Sequence, residues 1–263
     1  EQAQLRQTAH ALADAARAAT LPYFRKLGLS ADNKDAGGFD PVTEADRGSE
    51  QAMRAVLAQK RPQDSILGEE FADVAGSTGL TWVLDPIDGT RGFISGTPTW
   101  GVLIALSDAD GPIYGIVDQP YIGERFEGGF GVAQMTGPQG THRLQVCDGQ
   151  DLETATLFTT FPEMGTQADR AGFEAVRDRV QLVRYGMDCY AYALLAQGQI
   201  DLVIEAGLQA YDIQAPMAVV QAAGGLVTDW RGESVHDGGQ VIAASSAALH
   251  AQALTLLAPY AHD

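Results

Sequence analysis

The chain opens with apolar residues at the spacing of an amphipathic helix. These residues are Leu5, Ala9, Leu12, Ala16 and Ala19. Positions three or four apart share one face of an α-helix and a proline ends such a segment, so we expect a first helix that stops before Pro22. A polar, glycine-containing stretch over 29–40 follows, and a second helix is expected after Thr43, with Met53 and Leu57 on its apolar face.

From residue 65 onward, short apolar runs are separated by glycine, proline and acidic turns, which is typical of successive strands. The runs are SILGEE, TWVLDPID, GVLIALSD and GPIYGIVDQP, and RFEGGFGVAQM predicts a hairpin. Beyond residue 140, strand-type and helix-type runs alternate. They are TATLFTTF, FEAVRDRVQ, VRYG, DCYAYALLAQG, DLVIEAG, DIQAPMAVVQAAGG, LVTDW and VIAASS, before a terminal helix that ends near Pro259. We therefore predict an α+β half over 1–140 and an α/β half over 141–263.

The composition narrows the class of partner. The chain of 263 residues has a net charge of −17 and only 17 scattered Lys and Arg residues. Nucleic-acid binding depends on clustered Lys and Arg, so the sequence argues against a nucleic-acid partner. An acidic protein repels an anionic substrate unless its carboxylates bind divalent cations, so any phosphate chemistry is expected to depend on a metal.

Targeting signals and cysteine usage predict where the protein is located and the state of its thiols. No apolar run reaches the roughly 20 residues that span a bilayer, and the first helix lacks a signal-peptide core, so we expect a cytoplasmic protein with no membrane partner. The cysteines, Cys147 and Cys189, have no CxxC spacing and no companion histidines. Buried free thiols are therefore favoured over a disulfide or a zinc site.

The strongest chemical signal is WVLDPIDGTRGF, where an apolar strand ends in Asp85 and Asp88. Pro86 stiffens the turn and Gly89 lets the backbone approach a ligand closely, so both carboxylates can converge on one point. Hard cations such as Mg²⁺ prefer oxygen ligands of this kind. Two aspartates can also simply shape a turn through local hydrogen bonds, and for DPIDG alone the two interpretations are equally supported.

Further acidic residues favour the metal site. Glu69 and Glu70 end the strand ILGEE, and Asp212 lies at the start of a helix. Carboxylates at several strand ends and helix starts suit a two-metal site, in which one ion activates water and both steady the charge on the attacking and leaving oxygens. No His or Cys stands near these motifs, so Mg²⁺ is favoured over zinc.

Taken in order, DPVTEAD, ILGEE, WVLDPIDGT and YDIQAPMAVVQAAGG resemble the signature segments of the inositol monophosphatase family across nearly the whole chain. The resemblance implies a layered α/β/α/β/α sandwich of the inositol monophosphatase and fructose-1,6-bisphosphatase type, usually as a homodimer. It also implies a phosphatase that hydrolyses a small phosphorylated metabolite with two or three Mg²⁺ ions.

The resemblance further implies a role for each matching residue. Metal would be bound by Glu69, Asp85, Asp88, Asp212 and the backbone carbonyl of Ile87. Thr90 and Asp46 would orient the attacking water, with Glu69 also counted as catalytic. The amides of Gly89 and Thr90 would hold the phosphate if a helix begins there and presents free N–H groups.

Several of these residues have a purely structural alternative. Asp46 fits the third helical position of a capping box opened by Thr43. Asp212 fits a helix cap, which Pro216 four residues later would follow with a distorted first turn. For Glu70 we favour an ordinary surface charge.

Within the family, RGFISGTPTWG and GMDCYAYALLAQGQIDLVIEAGL are similar to the branch that acts as histidinol-phosphate phosphatase, with Asp188 and Tyr190 as discriminating residues. Histidinol phosphate carries an ammonium and a titratable imidazole, and Asp188 or Glu205 could pair with either. Asp188 could instead cap a helix, and Tyr190 and Tyr192 could be core residues. Arg91 and Lys34 are the nearest basic residues and are left out of the catalytic set.

Other functions compete with this one. Inositol monophosphate, fructose 1,6-bisphosphate and 3′-phosphoadenosine 5′-phosphate are alternative substrates. A regulatory family member acting through protein or RNA partners is a further alternative, against which the complete ligand set and the acidic surface argue. DPIDGT is also superficially similar to the motif of haloacid-dehalogenase phosphatases, but those place one residue between the aspartates, and this chain places two.

Overall fold

The computed structural model describes residues 1–26, 32–33, 41–149, 151–163 and 165–262. Most of the glycine-containing stretch 29–40, including Lys34, lies outside the described residues. None of the described helices is long and apolar enough to cross a membrane.

The helices follow the predicted order, with one short addition. They are α1 Gln2–Thr20, α2 Glu44–Lys60, α3 Thr90–Ser95, α4 Gln167–Arg177, α5 Cys189–Ala196, α6 Ala210–Ala222 and α7 Ala247–Leu257. The strands are β1 Asp32–Asn33, β2 Pro41–Val42, β3 Ser65–Gly68, β4 Thr81–Asp88, β5 Gly101–Asp108, β6 Gly111–Gln119, β7 Glu124–Gly129, β8 Val132–Gly137, β9 Gly140–Arg143, β10 Thr156–Thr159, β11 Leu182–Tyr185, β12 Leu202–Gln209, β13 Leu226–Thr228 and β14 Gly238–Ala244.

Two mixed sheets form the framework. The first has seven strands in chain order from β3 to β9, with β3 and β4 parallel and every later pair antiparallel. The second has five strands in the order β11-β10-β12-β14-β13. β10 pairs in parallel with β11 and β12, and β14 pairs antiparallel with β12 and β13. The strands of the second sheet thus come from the part where strand and helix were expected to alternate.

The inner strands of each sheet, such as β4, β5 and the first half of β12, are mostly buried on both faces, which explains why they read as continuous apolar runs. In β4, Trp82 and Leu84 pack with α1 and α2, and Val83 points the other way. In β12, Val203 shares the core of Val83, and Leu202 packs on the outer side with α4 and α7. Helices α5 and α6 fill the space between the sheets. The result is the expected α/β/α/β/α sandwich, because side chains alternate across each strand.

Helix α6 lies unusually close to the first sheet. A Cβ added at Gly115 would lie 2.5 Å from the carbonyl oxygen of Ala215, and one at Gly128 would lie 2.6 Å from the Cα of Val219. Both glycines therefore let the helix backbone rest directly on β6 and β7. This close approach fixes the position of α6, which carries Asp212 at its amino end.

Some boundaries differ from the expectation. α4 begins at Gln167 rather than near Phe173, because Thr166 and Asp169 form a capping box before the apolar run. β4 continues past Pro86 to Asp88 through a register shift instead of ending in a turn. The helix α3 and the edge strand β9 are short elements without a periodic apolar pattern, and the sequence did not reveal them. The division into halves at residue 140 stays a prediction.

A pair of glycine substitutions tests the close packing of α6. Gly115→Ala is expected to destabilise the fold by about 2 kcal/mol, because the new methyl group overlaps the backbone of α6. Gly48→Ala, in the interior of α2, is the control, since an added Cβ has open space and alanine favours helix by about 1 kcal/mol. Urea unfolding of both variants measures this, and equal stability of the two would contradict the proposed packing.

Candidate active site

The sequence-predicted residues converge on one cleft of about 330 Å³ between the sheets. It is lined by the end of β4, the start of α3, the segment after β10, the start of α5, and the junction of β12 with α6. The lining includes every predicted metal-binding residue, namely Glu69, Asp85, Ile87, Asp88 and Asp212. Gly89, Thr90, Asp188 and Glu205 line it as well. Asp46 is not among the lining residues and reaches the site through Thr90.

The centre of the cleft is a group of three carboxylates. Asp85, Asp88 and Asp212 each place one carboxylate oxygen within 4.8 Å of the others. Asp85 is only 2% exposed, and its Oδ1 accepts a hydrogen bond of 3.0 Å from the amide of Ile87. The register shift between Asp85 and Asp88 lets both carboxylates reach the cleft from one strand.

The carboxylates raise one another's affinity for protons. Burial, followed by the charges of Glu69, Asp88 and Asp212, raises the pKa of Asp85 well above its ordinary value. Burial and the charges of Asp188 and Asp212 do the same to the pKa of Asp88. Like charges in a poorly solvated cleft disfavour the ionised form, and a bound cation removes that penalty. An all-oxygen donor set of this charge fits Mg²⁺.

Asp88 is oriented by a helix that is distant in sequence. The amide of Cys189, at the first position of α5, donates a hydrogen bond of 2.6 Å to Asp88 Oδ2. This bond lowers the pKa of Asp88 against the larger effect of burial. The amino end of a helix favours negative charge, so α5 holds Asp88 in place and offsets part of the repulsion.

Asp212 occupies a different helical position from the one expected. α6 begins at Ala210 with Gln209 as the capping residue, and Asp212 is the third helical residue. The amide of Gln209 donates a hydrogen bond of 2.6 Å to Asp212 Oδ2. Pro216 therefore lies inside the helix rather than in its first turn. Because proline has no amide hydrogen, it donates no helical hydrogen bond to the carbonyl of Asp212.

Asp46 forms the capping box and also contacts Thr90. Its Oδ2 accepts hydrogen bonds from the Thr43 amide at 2.8 Å and the Thr43 hydroxyl at 2.5 Å, which completes the capping box. Its Oδ1 lies 3.3 Å from the Thr90 hydroxyl, which also lies 3.1 Å from the carbonyl oxygen of Ile87. Because Asp46 is 1% exposed and held by Thr43, it presents Oδ1 to Thr90 in a fixed orientation.

Asp188 does not act as a side-chain cap. It precedes α5, but its side chain makes no capping hydrogen bond, and its Oδ2 instead accepts one of 3.3 Å from Thr99. The carboxylate packs on Gly89, where an added Cβ would lie 2.7 Å from Asp188 Cγ. Asp188 has a φ of +48°, a strained value for a residue with a side chain. Burial raises its pKa, although Thr99 and the Arg91 charge act in the opposite direction.

Glu205, in β12 of the second sheet, is a buried carboxylate of the cleft lining. It is 6% exposed, and its Oε1 accepts hydrogen bonds from the Thr160 amide at 2.9 Å and the Thr160 hydroxyl at 2.6 Å. Burial raises the pKa of Glu205 to about 7, more than the Thr160 bonds lower it. The cleft therefore holds two carboxylates beyond the metal-binding group.

Of the other residues that the sequence analysis singled out, some line the cleft and others lie outside it. Tyr190 donates a hydrogen bond of 2.8 Å to Glu124 and is not among the lining residues, whereas Tyr192 lines the cleft. Arg91 lines the cleft and lies over the ring of Phe161, with 4.7 Å from its guanidinium carbon to the ring centroid. Cys147 and Cys189 are free thiols, as expected.

The sequence did not reveal Thr99, Thr160 or Phe161 as neighbours of the site. Thr160 and Phe161 follow β10 directly, at the end of a strand where ligands commonly bind in α/β sheets. This position directly after a strand is the feature of the sequence that could have identified them as neighbours of the site. Thr99 lies between α3 and β5 and carries no motif.

Comparison with known proteins identifies the relationship. The model of the inositol monophosphatase family matches residues 1–262. The chain belongs to this family. It is 36% identical to a histidinol-phosphatase of Mycobacterium tuberculosis, over 94% of this chain and 95% of the relative. It is 40% identical to the bifunctional phosphatase IMPL2, chloroplastic, of Arabidopsis thaliana, over 94% of this chain and 73% of the relative.

A solved structure has the same fold. An inositol monophosphatase from Zymomonas mobilis superposes with a TM-score of 0.84 at 39% identity, with 96% of each chain covered. Relatives with other names also match, among them an inositol-1-monophosphatase of Caulobacter vibrioides at 32% identity and a Nus factor SuhB of Pseudomonas aeruginosa at 35%. The family and its phosphomonoesterase activity are therefore established for this chain, and the identity of its ester is not.

Replacement of one cleft carboxylate tests two properties of the cluster, namely the destabilising repulsion among its charges and its binding of Mg²⁺. Asp85→Asn keeps the acceptor for the Ile87 amide and removes one negative charge, so the metal-free protein should gain about 1 kcal/mol of stability. Mg²⁺ at a hundredfold excess over Kd should stabilise the wild type by about 2.7 kcal/mol and the variant far less. Thermal unfolding with and without Mg²⁺ measures both effects.

Asp237→Asn is the matched control, because this side chain is 93% exposed. It should respond to Mg²⁺ like the wild type. A wild-type protein with no Mg²⁺-dependent stabilisation, or an Asp85→Asn variant with the full effect, would contradict a metal site at this carboxylate.

Proposed function

We propose that this phosphatase hydrolyses L-histidinol phosphate to L-histidinol, in histidine biosynthesis, with Mg²⁺. The observation that carries the choice of ester is Asp188, a half-buried carboxylate packed against Gly89 at the start of α3. A neutral polyol gains little from such a group, whereas an ammonium three bonds from the ester oxygen would pair with it. Glu205 adds a second, buried carboxylate for the rest of a cationic substrate.

The family's metal ions would be held by oxygen atoms of the cleft. We assign this role to Glu69, Asp85, Asp88, Asp212 and the carbonyl of Ile87. When bound, Mg²⁺ offsets the charge of the phosphate and lowers the pKa of a coordinated water. The convergence of three carboxylates within 4.8 Å supports the assignment, because a bound cation removes the repulsion among them.

The remaining residues position the reacting groups. Asp46 fixes Thr90, and together they would orient the attacking water through the Thr90 hydroxyl, with Glu69 beside them. The amides of Gly89 and Thr90 would hold the phosphate, since α3 begins at Thr90 and its first N–H groups need acceptors. A side chain at residue 89 would be strained at the φ of +82° and would overlap Asp188, so only glycine suits this position.

The relatives support a second substrate. The inositol-1-monophosphatase among them makes inositol monophosphate the strongest alternative. A regulatory role through protein or RNA partners is supported by the Nus factor relatives alone. The retained cluster of carboxylates favours catalysis over such a role. A homodimer stays a prediction drawn from the resemblance, and a cytoplasmic location stays a prediction drawn from the sequence.

Phosphate release from a panel of esters tests the proposal. The panel contains histidinol phosphate, inositol 1-phosphate, fructose 1,6-bisphosphate and 3′-phosphoadenosine 5′-phosphate, each assayed with Mg²⁺ and with a chelator. We expect the highest kcat/KM for histidinol phosphate; an equal or lower value than for another ester would overturn the choice. Asp88→Asn should retain less than about a tenth of the activity, since metal sites contribute several kcal/mol.

Asp188→Asn tests the specificity separately from the chemistry. Asparagine keeps an acceptor for Thr99 but loses the charge, so kcat/KM for histidinol phosphate should fall about tenfold and that for inositol 1-phosphate should change little. Asp178→Asn, at a side chain 67% exposed, is the control with unchanged ratios. An equal fall for both esters would show that Asp188 serves the metal centre instead.

A further inference from the structure

Tyr192 brings an unsatisfied hydroxyl group to the cleft. The residue is 2% exposed and lines the cleft from α5. Its phenol oxygen is buried and makes no hydrogen bond within the part of the chain that the structure describes. Buried hydroxyl groups in proteins nearly always have a partner, so an unpaired one in a ligand cleft points to a ligand atom as its partner.

The nearby tyrosine behaves differently. Tyr190 lies two positions earlier on the same helix, is absent from the cleft lining, and donates its hydrogen bond to Glu124. The two hydroxyl groups have the same chemistry and comparable helical positions. Only that of Tyr192 is left for a ligand.

The surroundings determine what the Tyr192 hydroxyl can bind. Burial raises the pKa of Tyr192, and the carboxylates of Glu205, Asp88 and Asp212 raise it further, with Glu205 first among them. The phenol therefore keeps its proton and acts as a hydrogen-bond donor. Tyr192 and Glu205 both line the cleft, and neither belongs to the proposed metal-binding set, so both are available to the organic portion of the substrate.

Glu205 complements this donor with an acceptor. Both hydrogen bonds that it accepts from Thr160 end on Oε1, and they fix the orientation of the carboxylate. Its other oxygen can accept from a ligand. The lining of the cleft thus offers one fixed acceptor and one buried donor.

We propose that Tyr192 is a specificity-determining residue whose hydroxyl donates to the unprotonated nitrogen of the substrate's imidazole ring, while Glu205 accepts from the ring N–H. This inference rests on the proposed histidinol phosphate substrate. A neutral imidazole presents one donor and one acceptor, which the pair satisfies together. Loss of the hydroxyl would leave the ring nitrogen desolvated and unpaired, which penalises binding of this substrate more than that of an ester without the ring.

Tyr192→Phe is the test, with Tyr190→Phe as the matched control. Each variant is assayed with Mg²⁺ on histidinol phosphate and on p-nitrophenyl phosphate, at a pH above both the imidazole pKa of about 6.5 and the Glu205 pKa of about 7. We expect Tyr192→Phe to lower kcat/KM for histidinol phosphate about tenfold and to change that for p-nitrophenyl phosphate less than about twofold. Tyr190→Phe should keep the wild-type ratio of the two substrates.

A binding measurement separates a ligand contact from a structural one. L-histidinol, with Mg²⁺ present, should raise the Tm of the wild type and of Tyr190→Phe, and should raise that of Tyr192→Phe clearly less. Without L-histidinol, Tyr192→Phe should unfold at or above the wild-type temperature, because the hydroxyl has no hydrogen bond to lose in the described structure.

The outcomes are distinguishable. A wild type that prefers another ester over histidinol phosphate rejects the proposed function. A wild type that prefers histidinol phosphate, together with a Tyr192→Phe variant that is unchanged or equally impaired on both substrates, rejects only the role of Tyr192. A Tyr192→Phe variant with a lowered Tm in the absence of ligand also rejects it, since the hydroxyl would then be structural.

Discussion

The mutual repulsion of the cleft carboxylates is the constraint on which the site depends. Asp85, Asp88 and Asp212 bring oxygens within 4.8 Å of one another, in a cleft where burial already disfavours charge. Left to flexible loops, such groups would move apart. Here they are carried by a buried strand and a helix packed between two sheets, so the stability of the layers keeps them together until a cation can bind.

The helices between the two sheets, α5 and α6, offset much of this repulsion. The amide at the start of α5 donates to Asp88, and Asp212 lies in the first turn of α6. The positive ends of two helices therefore approach the acidic group. This arrangement requires α6 to lie against the first sheet, which Gly115 and Gly128 permit by exposing strand backbone to helix backbone. The glycines in the sheet are thus part of what positions a carboxylate of the cleft.

Sequence periodicity predicted most of the fold because nearly every long element has a buried face. The apolar runs of β4 and β12 and the spacing in α1 follow directly from burial on one or both sides. The misplacements have local causes. Polar capping residues moved the start of α4, Gln209 rather than Asp212 caps α6, and α3 is too short to have a period. None of these features leaves an apolar pattern.

The residues of the site also fall into a group that the sequence revealed and a group that it did not. Asp85, Asp88, Gly89 and Thr90 lie within a single short segment, so their convergence was predictable from spacing alone. Thr160 and Tyr192 line the cleft and Thr99 contacts it through Asp188, so these positions depend on contacts between residues far apart in the chain, such as Thr99 with Asp188 and Thr160 with Glu205. No local pattern encodes contacts of this kind. The folded layers were needed to find them.

The residues assigned to the metal and those assigned to the substrate come from different elements of the fold. The carboxylates assigned to the metal come mainly from the first sheet and α6, whereas Asp188, Thr160 and Glu205 come from the start of α5 and the second sheet. Under the proposed function, a substitution in the second group changes the charge and hydrogen bonding offered to the organic part of an ester without replacing a metal ligand. A fold of this kind can keep one reaction while the recognition of the ester changes, because the two proposed sets of residues come from different elements.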